Sequence, residues 1–381
     1  MTDVAVVGVG MIPFGKHPQK TLVDMGSEAA YLAIKDAGLS PRQMEIGFFA
    51  NAFAGRVFGD FTIGQNVFWK IGINRIPVVN VENACTSGSS AFFLAYNAVA
   101  AGQVEIAIAV GAEKMRVPEM GLLNSGQNEV DTQLGLVAPA SFAMRAMRYI
   151  YEYDAKPEQL AQVSVKNRRH SSLNNLSGFR DLVSIEDVLA APMIVDPLTR
   201  LMCCPNADGA AAVVLVSPAI ARRLGRSVGV NTALLFSGSY ENPQDQICWE
   251  TDYRACRTAY ERAGIGPEDL DVVECHDAFT ICEILHYEAM GLCPIGEGAQ
   301  FAADGETEIG GRIPVNTSGG LIGRGHPPGA TGIAQVCEIV TQLRQEAGQR
   351  QVNGAKTGLA HCMGGDKEGD TKSCTIAIFS V

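Results

Sequence analysis

The sequence lacks an apolar run long enough to cross a membrane, although 47% of its 381 residues are hydrophobic. Its first residues, Met1-Thr2-Asp3-Val4, also lack the basic stretch that precedes the apolar core of a secretion signal. We therefore expect a soluble, cytoplasmic protein without a membrane span. The high apolar content, with only 19% charged residues, predicts a large buried core and excludes disorder.

Positive charge is scarce. The chain has 30 Lys and Arg residues against 41 Asp and Glu residues, which gives a net charge of −11. Such a surface repels nucleic acid and anionic lipid, so we expect neither as a partner. The exception lies between residues 141 and 180, where seven basic residues stand against three acids. This stretch would suit a ligand that carries phosphate groups.

The sequence also lacks the cysteine patterns of a disulfide framework or a zinc site. Its 11 cysteines are odd in number and scattered along a long chain, as is typical of free thiols in a reducing compartment. A cluster of possible ligands does not form the two closely spaced pairs that structural zinc sites use; it consists of Cys275, His276, Cys282 and His286. We predict no metal.

A complete dinucleotide-binding motif is missing as well. Gly8 and Gly10 follow a predicted strand, but Pro13 stands in place of the third glycine and no helix pattern begins there. We therefore predict no nicotinamide cofactor, and the sequence gives no sign of another bound cofactor.

Two segments recur in the same order later in the chain. Residues 37–46 run from a helix end through a glycine and a proline into an apolar strand, and residues 263–272 repeat this pattern 226 positions later. Residues 77–80, with the helix and strand that follow them, are echoed from residues 314–316 onward, ending in a strand near 352–359. Two echoes in one order indicate a duplication.

Each half alternates predicted strands and helices, with apolar runs such as residues 106–110 that are typical of strands covered on both faces. This predicts an α/β fold built from two halves, residues 1–220 and 221–381. The first half is longer by an insert of about residues 116–200, which is rich in Met, Asn, Ser and Gly.

Cys85 is the strongest candidate for a reacting group. It follows a predicted strand and stands where a helix begins, among small residues. A thiol at a helix N-terminus faces unpaired N–H groups and the positive end of the helix dipole, so we expect its pKa to be lowered. The amide of Cys85 could also donate to an oxyanion. On this segment alone, an inert buried cysteine is the alternative.

Further candidates lie in the second half. His326 belongs to the glycine-rich residues 319–332, the region of the second repeat that corresponds to the Cys85 segment. A pseudo-twofold axis between the halves would bring this base to the nucleophile. His276 and Cys362 each follow a predicted strand, where α/β sheets place their sites.

Together these motifs resemble the thiolase superfamily. In order along the chain they are Cys-x-Ser-Gly-x-Ser at 85–90, His-Asp-Ala-Phe at 276–279, Gly-Gly-x-x-x-x-Gly-His-Pro-x-Gly-Ala-Thr-Gly at 319–332 and Cys-x-Gly at 362–364. The His-Asp-Ala-Phe form resembles the sterol-carrier-protein, or lipid-transfer-protein, branch, since ordinary thiolases have Asn-Glu-Ala-Phe. The resemblance covers essentially the whole chain. It implies a duplicated five-layer αβαβα fold with a loop-domain insert.

The resemblance implies an acyl-CoA C-acyltransferase, either a 3-ketoacyl-CoA thiolase or an acetyl-CoA acetyltransferase. Cys85 would accept an acyl group from a CoA thioester after activation by His326. Cys362 would remove or return the α-proton of the second acyl-CoA. His276 would help His326 to hold a water or the thioester oxygen, while the amides of Cys85 and Gly364 would form the other oxyanion hole.

It also implies that CoA is a co-substrate that lies over the insert. The resemblance further implies a homodimer or a dimer of dimers. The residues expected to contact CoA are Arg168, Arg169, His170, Ser318 and Gly319. Some members of this branch carry a cysteine inside the His-Asp-Cys-Phe motif, where this chain has Ala278. The acid/base role then falls on Cys362.

Two other functions stay open. Some members of the branch act as lyases or acyltransferases with a small CoA-ester-binding partner protein, and the lyases are expected to use tyrosines near the site; here only Tyr287 is close to a motif. A non-catalytic subunit that binds acyl-CoA or lipid is the other alternative. Such a scaffold has no need for a nucleophile, a base and a second thiol together, so acyl-enzyme formation would distinguish these classes.

Overall fold

The computed structural model describes residues 4–115, 117, 126, 129–239, 245–367 and 370–381. The predicted insert of about 116–200 therefore lies partly outside the described residues. The strands are β1 (Ala5–Met11), β2 (Ile46–Ala50), β3 (Val78–Val81), β4 (Ile106–Glu113), β5 (Met193–Val195), β6 (Leu198–Thr199), β7 (Gly209–Val216), β8 (Val228–Ser237), β9 (Val272–Glu274), β10 (Thr357–Lys367) and β11 (Asp370–Ser380). The α-helices are α1 (Leu22–Asp36), α2 (Ala54–Phe58), α3 (Ile63–Lys70), α4 (Ser87–Ala100), α5 (Val130–Gln133), α6 (Ala138–Tyr153), α7 (Pro157–Ser172), α8 (Ile185–Ala190), α9 (Pro218–Leu224), α10 (Glu250–Ala263), α11 (Thr280–Ala289), α12 (Gly298–Ala303), α13 (Gly320–Arg324) and α14 (Pro328–Leu343).

The main sheet repeats one topology in its two halves. Its order is β3-β2-β4-β7-β1-β8-β11-β10-β9. In the first half β3 and β4 run parallel to β2, whereas β7 is antiparallel to both β4 and β1. In the second half β9 is parallel to β10, and β11 is antiparallel to both β10 and β8. Val315 bridges Val273 in parallel, so it stands where β3 stands in the first half.

The packing produces five layers. α4 and α14 pack against each other, and one apolar core joins them to strands of both halves. A second core lies between α1 and the outer face of the first-half strands, and a third between the second-half strands and α10, α11 and the insert helices. The predicted αβαβα order is confirmed. The residues of β4 and β7 are buried throughout, which explains why their sequences are apolar except for Glu113 at the end of β4.

The first sequence echo marks equivalent turns. α1 ends before Gly38 with φ +66°, and α10 ends before Gly264 with φ +68°, a left-handed conformation that favours glycine. The second echo was placed less well, because β10 begins at Thr357 instead of near residue 352. Cys362 therefore lies within this strand and does not follow it.

Gly8 and Gly10 are explained by helix packing. A Cβ atom on Gly8 would lie 2.1 Å from the carbonyl oxygen of Ala33, and one on Gly10 would lie 2.3 Å from the amide nitrogen of Ala33. These glycines let α1 lie directly on β1. Within the described ranges, no helix has the length and apolarity needed to span a membrane. All 11 cysteines are free thiols.

Candidate active site

Cys85 lies in a tight turn between β3 and α4. Ala84, just before it, has φ +47°, a left-handed conformation that side-chain-bearing residues rarely adopt. The hydroxyl of Ser87 holds this turn, accepting from the amide of Asn83 at 2.8 Å and donating to the carbonyl of Ala84 at 2.6 Å. Such strain persists only where the surroundings impose it, and it is common at functional sites.

His326 reaches this thiol from the other half of the chain. Its Nε2 lies 3.3 Å from Cys85 Sγ. His326 stands between α13 and α14, and its amide donates to the carbonyl of Pro205 at 3.1 Å. Because α4 and α14 are equivalent helices that pack together, the structure brings the candidate nucleophile and base together across the repeat, as the duplication predicts.

Thr331 determines which nitrogen of His326 is the base. Its Oγ1 lies 2.8 Å from His326 Nδ1 and 3.0 Å from the carbonyl oxygen of Pro327. A carbonyl oxygen only accepts, so the hydroxyl donates its single hydrogen to Pro327 and accepts one from Nδ1–H. Nε2 is therefore unprotonated and directs its lone pair at the thiol of Cys85.

Cys85 and His326 form a neutral resting pair. Burial raises the pKa of the Cys85 thiol to about 12, although the amide of Gly365 donates a hydrogen bond that lowers it. Burial and the charge of Arg324 lower the pKa of His326 to about 3. The expectation that the helix N-terminus lowers the pKa of Cys85 is therefore wrong, because desolvation outweighs the helix dipole. The thiolate forms only as its proton moves to Nε2.

Cys362 places a second thiol beside the first. Its Sγ donates to the main-chain oxygen of Cys85 at 3.3 Å. Burial raises the pKa of Cys362 well above its usual value, and the neighbouring Cys85 raises it further. Gly364 allows the strand to approach the Cys85 turn, since a Cβ atom there would lie 2.9 Å from the amide nitrogen of Thr86. The glycine amide that reaches the Cys85 sulfur is that of Gly365, which the sequence analysis did not single out.

His276 completes the cluster. Its ring centroid lies 5.2 Å from that of His326, edge to face, and nitrogens of the two rings lie within 4.8 Å of each other and of Cys85 Sγ. Burial and the nearby His326 lower the pKa of His276 well below its usual value, so the ring is neutral. Its Nε2 is buried without a hydrogen-bond partner among the described residues. A buried nitrogen of this kind is available to a polar atom of a ligand.

Asp277 ties the His276 segment to α13. Its carboxylate accepts hydrogen bonds from the amides of Leu321 and Ile322 at 2.6 and 3.2 Å, and from the amide side chain of Asn167 at 2.8 Å. A carboxylate at the first turn of a helix satisfies amides that have no partner within the helix. The motif at residues 276–279 thus combines a ligand-facing histidine with a structural acid.

Glu113 likewise accepts a hydrogen bond from the first turn of α14, a role that the sequence analysis missed. Its carboxylate accepts from the amides of Gly329 and Ala52 at 3.1 and 2.8 Å. Burial raises the pKa of Glu113 to about 7. The available signal was an acidic residue at the end of an otherwise apolar strand, because such a residue is rarely buried without donors around it.

His170, a predicted CoA contact, already has internal partners for its ring. Its Nδ1 lies 3.0 Å from the carbonyl oxygen of Asn316 and its Nε2 accepts from the amide of Ile309 at 3.2 Å, so both ring nitrogens are used. Burial lowers the pKa of His170 to about 3. The ring supports the loop before α13 and has no atom left for a ligand.

Ser318 and Gly319 are also buried supports in this structure. The hydroxyl of Ser318 donates to Glu274 at 2.6 Å. Gly319 has φ +100°, and a Cβ atom on it would lie 2.7 Å from that of Ser171. Packing and internal hydrogen bonds thus account for both residues, and their contact with CoA stays a prediction.

Most of the basic residues of the insert are already paired. Arg145 pairs with Asp366, Arg148 with Glu152, Lys156 with Asp154, Lys166 with Glu283 and Arg169 with Glu308. Within the described residues, Arg168 has no ion pair; its guanidinium lies 5.5 Å from the ring centroid of Phe179 and its Nε has no partner. Of the predicted CoA contacts, Arg168 therefore has the most free donor capacity.

The four residues weighed as a metal site do not converge. The thiol of Cys275 accepts from the side-chain amide of Asn316 at 3.5 Å, and His286 instead faces Asp252 and His361. That trio and the Cys85–His276–His326 cluster are the groups of suitable donors found among the described residues.

Comparison with known proteins supports the resemblance to thiolases over most of the chain. Residues 4–219 match the family described as "Thiolase, N-terminal domain", and residues 241–376 match "Thiolase C-terminal domain-like". The chain is 41% identical over 371 residues to an acetyl-CoA acetyltransferase of Methanothermobacter thermautotrophicus, covering 96% of this chain and 97% of that protein. It is 38% identical over 385 residues to sterol carrier protein 2 of Homo sapiens, covering 95% of this chain and 70% of that protein. It is 37% identical over 370 residues to the benzoylsuccinyl-CoA thiolase subunit BbsB of Thauera aromatica, covering 95% and 94%.

Solved structures share the fold. An Ltp2-ChsH2(DUF35) aldolase superposes with a TM-score of 0.83 at 26% identity, covering 98% of this chain and 97% of that chain. Human mitochondrial 3-ketoacyl-CoA thiolase in complex with CoA superposes with a TM-score of 0.76 at 17% identity, covering 100% and 98%.

Proposed function

The chain belongs to the thiolase family, and we propose that it condenses two acyl-CoAs, or cleaves a 3-ketoacyl-CoA with free CoA, through an acyl group carried on Cys85. It is an acyltransferase that acts on CoA thioesters. The observation that carries the proposal is the 3.3 Å contact between Cys85 Sγ and the unprotonated Nε2 of His326. A thiol and a base held in this way are the requirements of nucleophilic acyl transfer.

In the first half of condensation, Cys85 Sγ attacks the thioester carbon of an acyl-CoA while its proton moves to His326 Nε2. The amide of Cys85 stabilises the oxyanion together with the amide of Gly364, which the family resemblance implies, or that of Gly365, which reaches the Cys85 sulfur. The bond to the CoA sulfur then breaks, and the leaving sulfur takes the proton of Cys362. The products are an acyl-Cys85 thioester, free CoA and a Cys362 thiolate.

In the second half, the Cys362 thiolate removes the α-proton of a second acyl-CoA. Burial raises the pKa of this thiol, which makes its thiolate a stronger base for a carbon acid. The unpartnered Nε2 of His276 binds the enolate oxygen or a water on it. The enolate carbon attacks the acyl group, Cys85 leaves as a thiolate, and His326 returns its proton. Thiolysis is the same sequence in reverse.

CoA binding is assigned to Arg168 together with Arg169. Arg168 has a buried Nε without a partner among the described residues, and the exposed Arg169 can exchange its carboxylate partner Glu308 for a phosphate. Guanidinium groups bind phosphate with two parallel hydrogen bonds, which suits this task.

The homodimer is assigned to the free edge of β3. In the described residues β3 pairs only with β2, so its other edge carries unpaired backbone groups. Val79 on this strand and Trp69 on the adjoining α3 are 42% and 67% exposed. A second copy paired along β3 would cover both. The free thiols suit a reducing compartment such as the cytoplasm.

A lyase that depends on a small partner is the second candidate, because the aldolase complex shares 26% identity with this chain. The one tyrosine near a motif does not favour it. Tyr287 donates to Glu283 and lies 3.2 Å from Lys166 Nζ, within a buried ionic network. Its hydroxyl is therefore engaged away from Cys85.

Intact-protein mass spectrometry after incubation with acetyl-CoA, acetoacetyl-CoA and longer acyl-CoAs tests the proposal. We expect a mass gain of one acyl group in the wild type that is lost in Cys85→Ala. Cys248→Ala is the matched control, because Cys248 is an exposed thiol that a nonspecific acyl transfer would modify first. Absence of any adduct in the wild type would favour the lyase or a binding subunit.

A further inference from the structure

A second buried group of ionisable side chains lies behind the candidate site and has no part in the mechanism above. It consists of Asp252 in the first turn of α10, His286 in α11 and His361 in β10. Their side chains are at most 1% exposed. His361 immediately precedes Cys362, and the ring of His286 stacks on Trp249 with a centroid distance of 5.0 Å.

The hydrogen bonds of His286 require a shared proton. Its Nε2 lies 3.1 Å from the main-chain oxygen of His276, which can only accept, so Nε2 carries a hydrogen. Its Nδ1 lies 2.6 Å from Asp252 Oδ2, a contact that also needs a proton between the two atoms. Asp252 and His286 are thus a carboxylate with an imidazolium or a carboxylic acid with an imidazole. Either form is neutral overall.

This spacing fits a hydrogen bond better than a metal site. Two atoms that coordinate one zinc ion at about 2.0–2.2 Å lie about 3.4 Å apart in tetrahedral geometry. Asp252 Oδ2 and His286 Nδ1 are much closer than that, and the other nitrogen of His286 is held by a main-chain oxygen.

The pair controls the backbone of His276. The amide of Asp277 donates to the carbonyl of Cys275 at 3.2 Å, so His276 is the central residue of a three-residue turn. Its carbonyl is the group that His286 holds. Fixing this peptide fixes the direction in which the His276 ring enters the site.

The same carboxylate reaches the strand of the second thiol. Asp252 Oδ1 lies 2.9 Å from His361 Nε2, and the rings of His361 and His286 are 4.3 Å apart. One carboxyl group therefore contacts both segments that serve the second acyl-CoA.

We propose that Asp252 and His286 are positioning residues for carbon–carbon bond formation, holding the His276 ring and the Cys362 strand in register for the second acyl-CoA. The inference rests on the proposed function. Acylation of Cys85 depends on the pair less than condensation does, because its base, His326, is oriented separately by Thr331 and only the proton donated by Cys362 enters that step.

His286→Phe tests this, since the phenyl ring keeps the packing on Trp249 and removes both hydrogen bonds. We expect the rate of Cys85 acetylation by acetyl-CoA, followed by quenched-flow mass spectrometry, to fall far less than condensation does, because only the proton that Cys362 gives to the leaving CoA depends on the pair in that step. We expect kcat for condensation to fall about 100-fold, the scale of a misplaced catalytic group. Asp252→Asn should retain most of the kcat for condensation, whereas Asp252→Ala should lose it, because an asparagine amide can donate to Nδ1 of a neutral His286.

Cys256→Ala is the packing control, because this thiol lies 3.8 Å from Asp252 Oδ1 on the same helix and donates no hydrogen to His286. Equal losses in acetylation and condensation, or no loss in either, would overturn the inference. If His286→Phe does not fold, nitrogen NMR of histidine in the wild type decides: an unprotonated Nε2 on His286, or stoichiometric metal on the trio, overturns it. Failure of wild-type acetylation would instead reject the proposed function.

Discussion

The hydroxyl of Thr331 accepts the Nδ1 hydrogen of His326 at 2.8 Å while donating its own hydrogen to Pro327. This relationship makes Nε2 the basic nitrogen at Cys85. Thr331→Val keeps the shape of the side chain and removes the acceptor, so the tautomer with hydrogen on Nε2 becomes favourable. We expect the rate of Cys85 acetylation to fall about 100-fold, the scale of losing a general base.

The matched control for this change is Thr331→Ser, which keeps the hydroxyl and should retain most of the activity. Stopped-flow release of CoA from acetyl-CoA measures both variants. Equal rates in the valine and serine variants would show that the hydroxyl does not select the tautomer.

Cys362→Ala separates the two half-reactions in a different way. The variant keeps Cys85 and His326, so it should still form an acyl-enzyme, more slowly because the leaving CoA sulfur loses its proton donor. Condensation should fall by about 100-fold or more, since no other thiol in the described structure donates to the Cys85 carbonyl. Mass spectrometry should therefore find the acyl-enzyme accumulated. Cys337→Ala, a buried thiol that contacts the carbonyl of Ala212, is the control for lost packing.

The protonation of Cys85 predicts how alkylation depends on pH. Burial raises the pKa of this thiol to about 12, so its thiolate fraction increases about tenfold for each pH unit across pH 6–9. The rate of reaction with iodoacetamide at Cys85, located by peptide mass spectrometry, should rise throughout this range. A rate that is already constant at pH 7 would indicate a thiolate–imidazolium pair and contradict the neutral resting state.

The motifs singled out in advance the side chains that the structure brings together, because the proposed chemistry requires particular side chains at strand and helix ends. The duplication also predicted that Cys85 and His326 meet, since equivalent helix starts face each other across the repeat. Desolvation was not visible in the sequence. The pKa of Cys85 depends on atoms from distant segments, including the amide of Gly365, and a helix-terminus argument covers only its own segment.

The internal partners of the predicted CoA contacts were hidden from the sequence for a related reason. The basic residues of the insert were counted as free charge, yet Arg145 and Lys166 are buried against acids that lie far away in the sequence. His170 was read by residue type, while its two ring nitrogens are held by the main chain. Partners in the fold determine whether a polar group can bind a ligand, and one sequence does not reveal them.

Asp277 offers a test of stability beside the site. Asp277→Asn turns an NH₂ group towards one of its donors, the amides of Leu321 and Ile322 or the side chain of Asn167. We expect the free energy of unfolding to fall by about 1–3 kcal/mol, the usual result of an unsatisfied buried group. Because α13 precedes His326, activity at a temperature where the variant stays folded should fall too.

Asp271→Ala is the matched control, because Asp271 accepts two hydrogen bonds on one carboxylate oxygen from the amides of Lys356 and Thr357, far from the thiols. It should lower stability measured by urea unfolding and leave the specific activity of the folded protein unchanged. The same loss of activity in both variants would place the effect in general stability and not in the link between Asp277 and α13.

Gly364→Ala tests the close contact between β10 and the Cys85 turn. Its Cβ atom would lie 2.9 Å from the amide nitrogen of Thr86, next to Cys85, and 2.8 Å from the hydroxyl oxygen of Ser373. Both neighbours are buried, so the strand must move away from the Cys85 turn, which separates Cys362 from the first acyl group. We expect condensation to fall about 100-fold, as for other displacements of about 1 Å.

Gly38→Ala supplies the contrast, because its φ of +66° makes alanine costly by about 1–2 kcal/mol while nothing lies within 4 Å of the new atom. If Gly364→Ala loses only stability, as the Gly38 variant should, then the spacing between β10 and the Cys85 turn does not limit carbon–carbon bond formation.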